Sequence, residues 1–564
     1  MKEKVLQQAK SWLSDSYDAG TRKKVQILIE ENSEELMESF YKDLDFGTGG
    51  MRGIMGVGSN RINKYSIGKA TQGLASTLKQ TYPNEEISVA IAFDCRNNSD
   101  LIARSSAEVL SANGIKVYLF SALRPTPQLS FAVRELGCKS GIVITASHNP
   151  KEYNGYKVYG EDGCQIVSPF DLDLISKVRS LTIEDVNFKP NESLIHSLGE
   201  EMDNTYINRL KSVCLSPDSI KAQKDLPVVF TGIHGTGVVM VPKALKAIGF
   251  TNIMTVEEQD VIDGNFPTVK SPNPEEPAAL AMAIDLAKKK GAELVMGTDP
   301  DADRVGIAIP NKQGEFELLN GNQTGALLVN YLITRWKELG KLKGSEFIAK
   351  TVVTTDLMDV IAKSKGVSVY NTLTGFKHIG ALIRSLEGKE RFIGGGEESY
   401  GYLAGDFVRD KDAVMSCVLI TEMVAWAKNQ NKDLFDLMQD MYLEHGFYLE
   451  DLISVTKQGR SGLEEIGKMM DNMRKNPPKT IVGEEVVSFI DYLESSKTGL
   501  PESNVLQFLT QNGTKVTARP SGTEPKIKFY FSVQENLRQR EDFAQIKQKL
   551  TQKIADIQAE MKLN

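Results

Sequence analysis

Cysteine is scarce in this 564-residue chain. The five present, Cys95, Cys138, Cys164, Cys214 and Cys417, include no CxxC pair. An odd, scattered set argues against a disulfide framework. Long apolar runs are also missing. The opening MKEKVLQQAKSWLSDSYD has no apolar stretch of signal-peptide length, and the most apolar helical segment, Ala413–Ala427, is broken by Glu422 and is too short to span a bilayer. Excess positive charge is lacking as well: 67 basic against 74 acidic residues give a net charge of −7. Neither nucleic acid nor an anionic membrane is therefore an expected partner, and any phosphate ligand needs a locally built positive site. Nucleotide signatures are absent too. There is no GxxxxGK[ST], and neither the glycines of residues 47–53 nor Gly235-Thr236-Gly237 have GxGxxG spacing, which argues against an NTPase or a nicotinamide dehydrogenase. A GxSxG elbow is missing, which argues against that class of serine hydrolase. The expectation is a cytoplasmic protein.

What is present is ordinary globular composition, 41% hydrophobic and 25% charged. At roughly 150 residues per domain the length predicts three to four domains. The spacing of Val5, Ala9, Trp12 and Leu13, then of Val25, Ile27, Leu28, Leu36 and Phe40, predicts two amphipathic helices in a 1–40 extension. Strand-like runs at Ile87–Phe93, Lys116–Phe120 and Gly141–Thr145 then alternate with helical stretches. The alternation recurs around Leu226–Thr231 and Glu293–Gly297, and again around Phe347–Thr351 and Arg391–Gly394. It predicts α/β domains over 41–205, 206–320 and 321–445, with mixed or parallel sheets and ligand loops at the strands' carboxyl ends. The last block, 446–564, reads as a smaller α+β domain with strands at Leu449–Val455, Thr480–Tyr492, Val505–Leu509, Thr514–Arg519 and Lys526–Tyr530.

Four loops carry chemistry. In Thr145-Ala146-Ser147-His148-Asn149-Pro150 the proline disfavours helix at Asn149 and keeps Ser147 in a loop after an apolar strand. With His148 adjacent and Lys157 ten positions on, Ser147 is a candidate phosphate-carrying nucleophile; a plain Ser/Asn turn is the alternative. Asp299-Pro300-Asp301-Ala302-Asp303-Arg304 places three carboxylates at alternate positions, where mutual repulsion favours a shared divalent cation; a plain acidic turn is the alternative. It is no EF-hand, because Arg304 and Pro310 stand where glycine and glutamate are required, and all-oxygen ligands point to Mg²⁺ over Zn²⁺. RFIGGGEESYGY, residues 391–402, offers Glu397 and Ser399 for neighbouring sugar hydroxyls, with Glu398 read as a structural carboxylate; a flexible turn accounts equally well for the glycines. Arg519-Pro520-Ser521-Gly522-Thr523 supplies an arginine, two hydroxyls and backbone N–H groups, a nest for a phosphate dianion or a simple hairpin turn. His196 and His445 belong to no constellation.

Together the four loops resemble those of the α-D-phosphohexomutase superfamily, in the longer phosphoglucomutase/phosphomannomutase branch, from about Phe46 to Tyr530. FGTGGMRG (46–53), Asp94-Cys95-Arg96, Arg124-Pro125-Thr126-Pro127 and TGIHGTG (231–237) add to the likeness. The resemblance implies four domains around a central cleft, acting on small sugar phosphates as a monomer or homodimer. It implies a phosphoserine at Ser147 and Mg²⁺ held by that group with Asp299, Asp301 and Asp303. Arg304, Arg52 and Lys157 would surround the transferring group. Glu397 and Ser399 would grip the sugar, with Thr374, Gly375, Lys377 and His378 setting its orientation. Arg519, Ser521, Gly522 and Thr523 would take the phosphate that does not react. The implied reaction converts glucose 1-phosphate to glucose 6-phosphate through glucose 1,6-bisphosphate, with His148, Lys157 and Lys411 as candidate bases. Residues 396–402, GEESYGY, depart from the Gly-Glu-Met-Ser-Gly-His of bifunctional phosphomannomutases. That favours glucose phosphate and leaves mannose and pentose phosphates open. An aspartate-nucleophile phosphatase and a catalytically silent sugar-phosphate sensor are the other classes to distinguish.

Overall fold

In a computed structural model, residues 2–47, 50–457, 459–521 and 526–563 are described. By internal packing the chain forms two units. The first comprises Met1–Leu319, Phe376–Glu387 and Tyr400–Trp426; the second comprises Asn320–Gly375, Gly388–Ser399 and Ala427–Asn564.

The first unit opens with helices Lys2–Ser11, Ala19–Glu31 and Glu34–Phe40. Three helices stand where two are expected, because Asn32 adopts a left-handed conformation (φ 44°) and Ser33 caps a new start by accepting from the Leu36 N–H. They pack on one aromatic cluster, with Trp12 stacked on Tyr17 and edge-on to Phe40 and Tyr65.

The first sheet holds β1 (Gly50–Ile54), β2 (Ser88–Phe93), β3 (Lys116–Phe120), β4 (Ser140–Ile144), β5 (Tyr153–Gly160) and β6 (Ile195–Leu198), in the order β1-β5-β4-β2-β3-β6. β4, β2, β3 and β6 are parallel, while β5 runs antiparallel to β4 and to β1. Val89, Ile91, Ile142 and Ile144 are buried in one core with Ile67, Leu74 and Leu78 of helix Lys64–Thr81 and Ile102 and Leu110 of helix Ser99–Ala112. Burial on both faces is why β4 reads as an uninterrupted apolar run.

The second sheet, β7 (Val228–Thr231), β8 (Ile253–Thr255), β9 (Leu294–Thr298), β10 (Val305–Pro310) and β11 (Phe316–Leu319), has the order β11-β10-β9-β7-β8 and is also mixed.

In the second unit β12 (Glu346–Thr351) lies between β13 (Ser368–Thr372) and β14 (Arg391–Glu397), all parallel. β15 (Gly401–Ala404) falls within the first unit's residues. The last sheet orders β16 (Phe447–Thr456), β17 (Thr480–Ile481), β18 (Glu484–Asp491), β19 (Leu506–Thr510), β20 (Lys515–Pro520) and β21 (Lys526–Glu535) as β16-β21-β20-β19-β18-β17, with helices Gly459–Lys475 and Phe543–Glu560. The single strand expected over Thr480–Tyr492 is in fact a hairpin. Val482 (φ 43°) and Gly483 (φ 77°) both take left-handed conformations, the signature of a tight two-residue turn. The α/β class with a distinct C-terminal α+β block is as the sequence indicates.

Leu74 has no exposed surface and packs in the first sheet's core. Leu74→Ala is expected to destabilise the chain by about 2–5 kcal/mol, read as a lower urea midpoint; an unchanged midpoint would mean that this core does not limit stability.

Candidate active site

Ser147 follows β4 in a left-handed conformation, φ 53°, which costs a non-glycine residue about 1–2 kcal/mol. Its N–H donates to Thr145 Oγ1 at 2.8 Å. The fully buried Arg96 guanidinium gathers the loop's carbonyls. Nη2 donates to Ser147 O at 2.5 Å and to Asn149 O, and Nη1 to Pro150 O at 2.8 Å and Tyr153 O at 3.0 Å. Asp94 lies 3.4 Å from Arg96 Nε and holds the guanidinium from behind. The Ser147 hydroxyl is thereby presented at a fixed point, donating to Asp299 Oδ2 at 2.8 Å with His148 Nδ1 3.1 Å away.

Asp299 belongs to the loop between β9 and β10. Its Oδ1 accepts the N–H groups of Asp303 (3.1 Å) and Arg304 (3.0 Å), and Ala302 takes a left-handed φ of 47°. This curl brings one carboxylate oxygen each of Asp299, Asp301 and Asp303 within 4.8 Å of one another, all three side chains buried. Gly235 packs against the same loop; a Cβ there would lie 2.5 Å from Pro300 Cα. Neighbouring His234 is structural, its Nδ1–H donating to Val261 O and its Nε2 accepting from Thr268, both at 2.8 Å.

Cations offset the three acids. Lys157 Nζ, from β5, donates to Asp301 Oδ2 at 2.8 Å and lies 3.5 Å from Asp303; Lys411 Nζ lies 3.3 Å from Asp303. Thr126 fixes Asp301 twice, its hydroxyl donating to Oδ2 at 2.8 Å and its N–H to the carbonyl at 2.9 Å. Burial, then Asp303 and Asp301, push the Asp299 carboxyl well above the usual range. Burial pushes Asp301 up too, but Lys157 and the hydrogen bonds it receives outweigh this and lower it. Asp303 is lowered in the same way: burial and Asp301 raise it, and Lys411, Lys157 and Arg304 prevail. Burial drives His148 well below its ordinary value, helped by Arg304 and Arg52. Asp301 Oδ1 and Asp303 Oδ1 are buried with no hydrogen-bond donor, as acids awaiting a cation would be. The donor set, all oxygen and carboxylate-rich, fits a hard divalent ion.

The first unit thus brings together Ser147, His148, Lys157, Asp299, Asp301, Asp303 and Lys411. Arg52 is tied to this loop, donating to Asn149 Oδ1 at 3.0 Å. Arg304 ion-pairs with Glu275, and its Nε lies 3.8 Å from Asp303. Lys377 and His378 sit in the first turn of helix Phe376–Leu386, where burial lowers both pKa values, that of His378 to about 4.

In the second unit the Gly375 N–H donates to Glu397 Oε1 at 2.8 Å, joining the loop that carries Thr374 to the one that carries Ser399. Glu398 accepts from Thr351 (3.1 Å) and Thr354 (3.2 Å), which suits a structural carboxylate. Arg519, on β20, reaches Tyr530 OH at 3.5 Å, and the Ser521 N–H donates to Lys526 O at 2.7 Å. Gly522 and Thr523 lie outside the described residues.

The sequence assigned no role to Arg96, Thr126 or Glu275. The first two stand in the motifs Asp94-Cys95-Arg96 and Arg124-Pro125-Thr126-Pro127, a signal that was visible; Glu275 gives none.

Family models describe residues 43–183, 204–314 and 320–444 as phosphoglucomutase/phosphomannomutase α/β/α domains I, II and III. A phosphoglucomutase of Staphylococcus haemolyticus is 39% identical over 511 residues, 88% of this chain and 91% of that one. Among solved structures, the Paramecium phosphoprotein pp63/parafusin, a phosphoglucomutase in its open form, aligns with a TM-score of 0.69 at 18% identity, covering 92% of this chain and 96% of the other. A phosphoglucomutase/phosphomannomutase family protein of Burkholderia thailandensis aligns at 0.63 and 20%, covering 90% and 96%. These two bear on the fold alone. The buried carboxylates facing a serine on a mixed α/β scaffold form an all-oxygen donor set that could hold a divalent cation beside a nucleophile candidate. On the sequence relationship, the chain belongs to the phosphoglucomutase/phosphomannomutase family.

A divalent cation bound by the three aspartates is expected to raise the thermal midpoint, by the equivalent of about 2.7 kcal/mol at 100 times Kd. Mg²⁺ titrated in a thermal-shift assay checks this. Asp301→Ala is expected to abolish the shift, and a variant that kept it would move the site elsewhere.

Proposed function

We propose that the chain is a phosphoglucomutase, interconverting α-D-glucose 1-phosphate and glucose 6-phosphate through a phosphoserine at Ser147 and a glucose 1,6-bisphosphate intermediate. The observation that carries this reading is the Ser147 hydroxyl donating to Asp299 at 2.8 Å beside the buried carboxylate cluster. The family supports it, as does the name of the Staphylococcus haemolyticus relative.

Phosphorylated Ser147 gives its phosphoryl group to O6 of glucose 1-phosphate: the P–Oγ bond breaks, the P–O6 bond forms, and O6 loses its proton. Ser147 Oγ takes up a proton as it leaves. The bisphosphate reorients, and the P–O1 bond breaks as the P–Oγ bond re-forms. O1 gains a proton as glucose 6-phosphate is released, and Ser147 Oγ gives up its hydroxyl proton. Asp299 Oδ2 and His148 Nδ1 are the groups nearest that proton. Lys157 and Lys411, ion-paired to the acids, are suited to stabilising charge on the moving phosphoryl oxygens, and remain candidates alongside His148 for the substrate's proton. Mg²⁺ held by Asp299, Asp301, Asp303 and the Ser147 oxygen would neutralise that charge further. Arg52 and Arg304 flank the transferring group in this reading. Glu397, Ser399, Thr374, Gly375, Lys377 and His378 bind the sugar, and Arg519 with Ser521, Gly522 and Thr523 holds the other phosphate. Recognition must rest on hydroxyls placed alike in both orientations. Among the described residues no helix is long and apolar enough to cross a membrane. The five thiols are all free, which suits a reducing compartment, and we infer a cytoplasmic location.

Ser147→Ala is expected to fold and to retain below about 1% of wild-type turnover. Mass spectrometry of enzyme treated with glucose 1,6-bisphosphate should place phosphate on Ser147; phosphate on Asp299 or Asp301 would indicate a carboxylate-nucleophile phosphatase instead. Across α-1-phosphates of glucose, mannose, glucosamine and ribose, kcat/KM for glucose should lead by about tenfold, or 1.4 kcal/mol. A mannose or ribose lead would keep the chemistry and change the substrate, and binding without turnover would make the chain a sensor.

A further inference from the structure

Lys411 reaches Asp303 from the short segment between β15 and helix Ala413–Lys428. The two residues flanking it are both buried aspartates, Asp410 and Asp412. Neither belongs to the group of three carboxylates; each is taken up by a tyrosine from another part of the first unit. Tyr159 OH donates to Asp410 Oδ2 at 2.7 Å, and Gln165 Nε2 lies 3.4 Å from the same oxygen. Tyr206 OH lies 2.8 Å from both oxygens of Asp412. Both tyrosines are wholly buried. The carboxylates also tie into the local backbone, Asp410 Oδ1 accepting the Lys411 N–H and Asp412 Oδ1 the Met415 N–H, both at 2.8 Å. The Lys411 stem is confined too. A Cβ on Gly401 would lie 1.9 Å from Lys411 Cδ, and Nζ stands 6.0 Å from the centre of the Phe376 ring.

Tyr159 sits two residues after Lys157 on β5, so both project from the same face of the strand. Lys157 meets Asp301 and Asp303 directly, whereas Tyr159 meets Asp410, the neighbour of Lys411. One strand face therefore sets one ammonium by its own side chain and the other through an acid. A lysine on an unrestrained loop loses backbone as well as side-chain freedom on being fixed. Holding its backbone from both sides removes the backbone part of that loss before substrate arrives.

We propose that Tyr159 and Tyr206 are positioning residues for Lys411, acting through Asp410 and Asp412 to hold its ammonium at the carboxylate cluster. The proposal rests on the mutase reading for its catalytic meaning, but not for its geometry.

Two readouts separate the two. The first is independent of activity. Amine acetylation of the full chain, mapped by mass spectrometry, is expected to modify Lys411 about fivefold faster or more in Tyr159→Phe and Tyr206→Phe than in wild type, with matched thermal midpoints. Unchanged Lys411 reactivity in both variants would overturn the proposal whatever the enzyme does. The second is a double-mutant cycle on glucose 1-phosphate turnover. Tyr159→Phe is expected to lower kcat about tenfold with little change in KM, and to have no further effect in a Lys411→Met background. Losses that multiply instead would show that the tyrosine acts independently of Lys411 and would overturn the proposal. If wild type turns over no sugar phosphate, the mutase reading fails while the acetylation result still decides the geometry. Should a phenylalanine variant fold poorly, Asp410→Asn, which keeps the shape and weakens the acceptor, is expected to give the same rise in acetylation; an unchanged rate there counts against the proposal.

Discussion

Three carboxylates buried within 4.8 Å of one another set the terms for much of the first unit. Isolated, such a cluster is untenable, because each charge loses its water and gains a repelling neighbour. The surrounding groups can be read as responses to that one difficulty. Asp299 is satisfied by two backbone N–H groups and the Ser147 hydroxyl, and Asp301 by Thr126 and Lys157. Asp303 draws on Lys157 and Lys411. What remains, two buried oxygens without a donor, is the part left for a cation.

The serine loop answers a different difficulty by similar means. A left-handed residue followed by a turn leaves carbonyls with no strand partner, and buried carbonyls need donors. Arg96 supplies them from a single planar group whose fork matches several acceptors at once. Lysine in its place would offer a point charge and could not span the same carbonyls. The nucleophile candidate and the acidic loop are thus each held by groups outside their own motif, and the Ser147–Asp299 contact is where the two supports meet.

Much of this was legible in the sequence. Apolar runs marked β2, β4, β7 and β9, since strands buried on both faces leave little room for ambiguity, and marked the half-buried β3 as well. Alternating acids and the proline after Ser147 marked two of the loops. Strands exposed on one face were harder to find: β18 carries Val487 and Phe489 outward, so its apolar letters ran on from β17 and hid the turn at Val482–Gly483. β1 and β5 lack an apolar run and went unnoticed, although they carry Arg52 and Lys157. Contacts such as Arg304 with Glu275, or Tyr206 with Asp412, join residues far apart in the chain, and no local spacing records them. Gly235 and Gly401 show the same limit, since what each avoids, Pro300 and Lys411, becomes visible only when the chain is folded.

The first unit is not a continuous stretch of chain. It takes in Phe376–Glu387 and Tyr400–Trp426 after a long excursion into the second unit. During synthesis the acids at 299–303 therefore emerge about a hundred residues, or some 5–20 s, before Lys411. For that interval they have Lys157 but not their second ammonium, and Tyr206 has no carboxylate to bind. The nascent chain thus carries an unfinished centre, and no single cut in the polypeptide can release the first unit whole. Assembly of this centre waits for the segment that carries Lys411, and deletions far from the acidic loop in sequence can still leave it electrostatically incomplete.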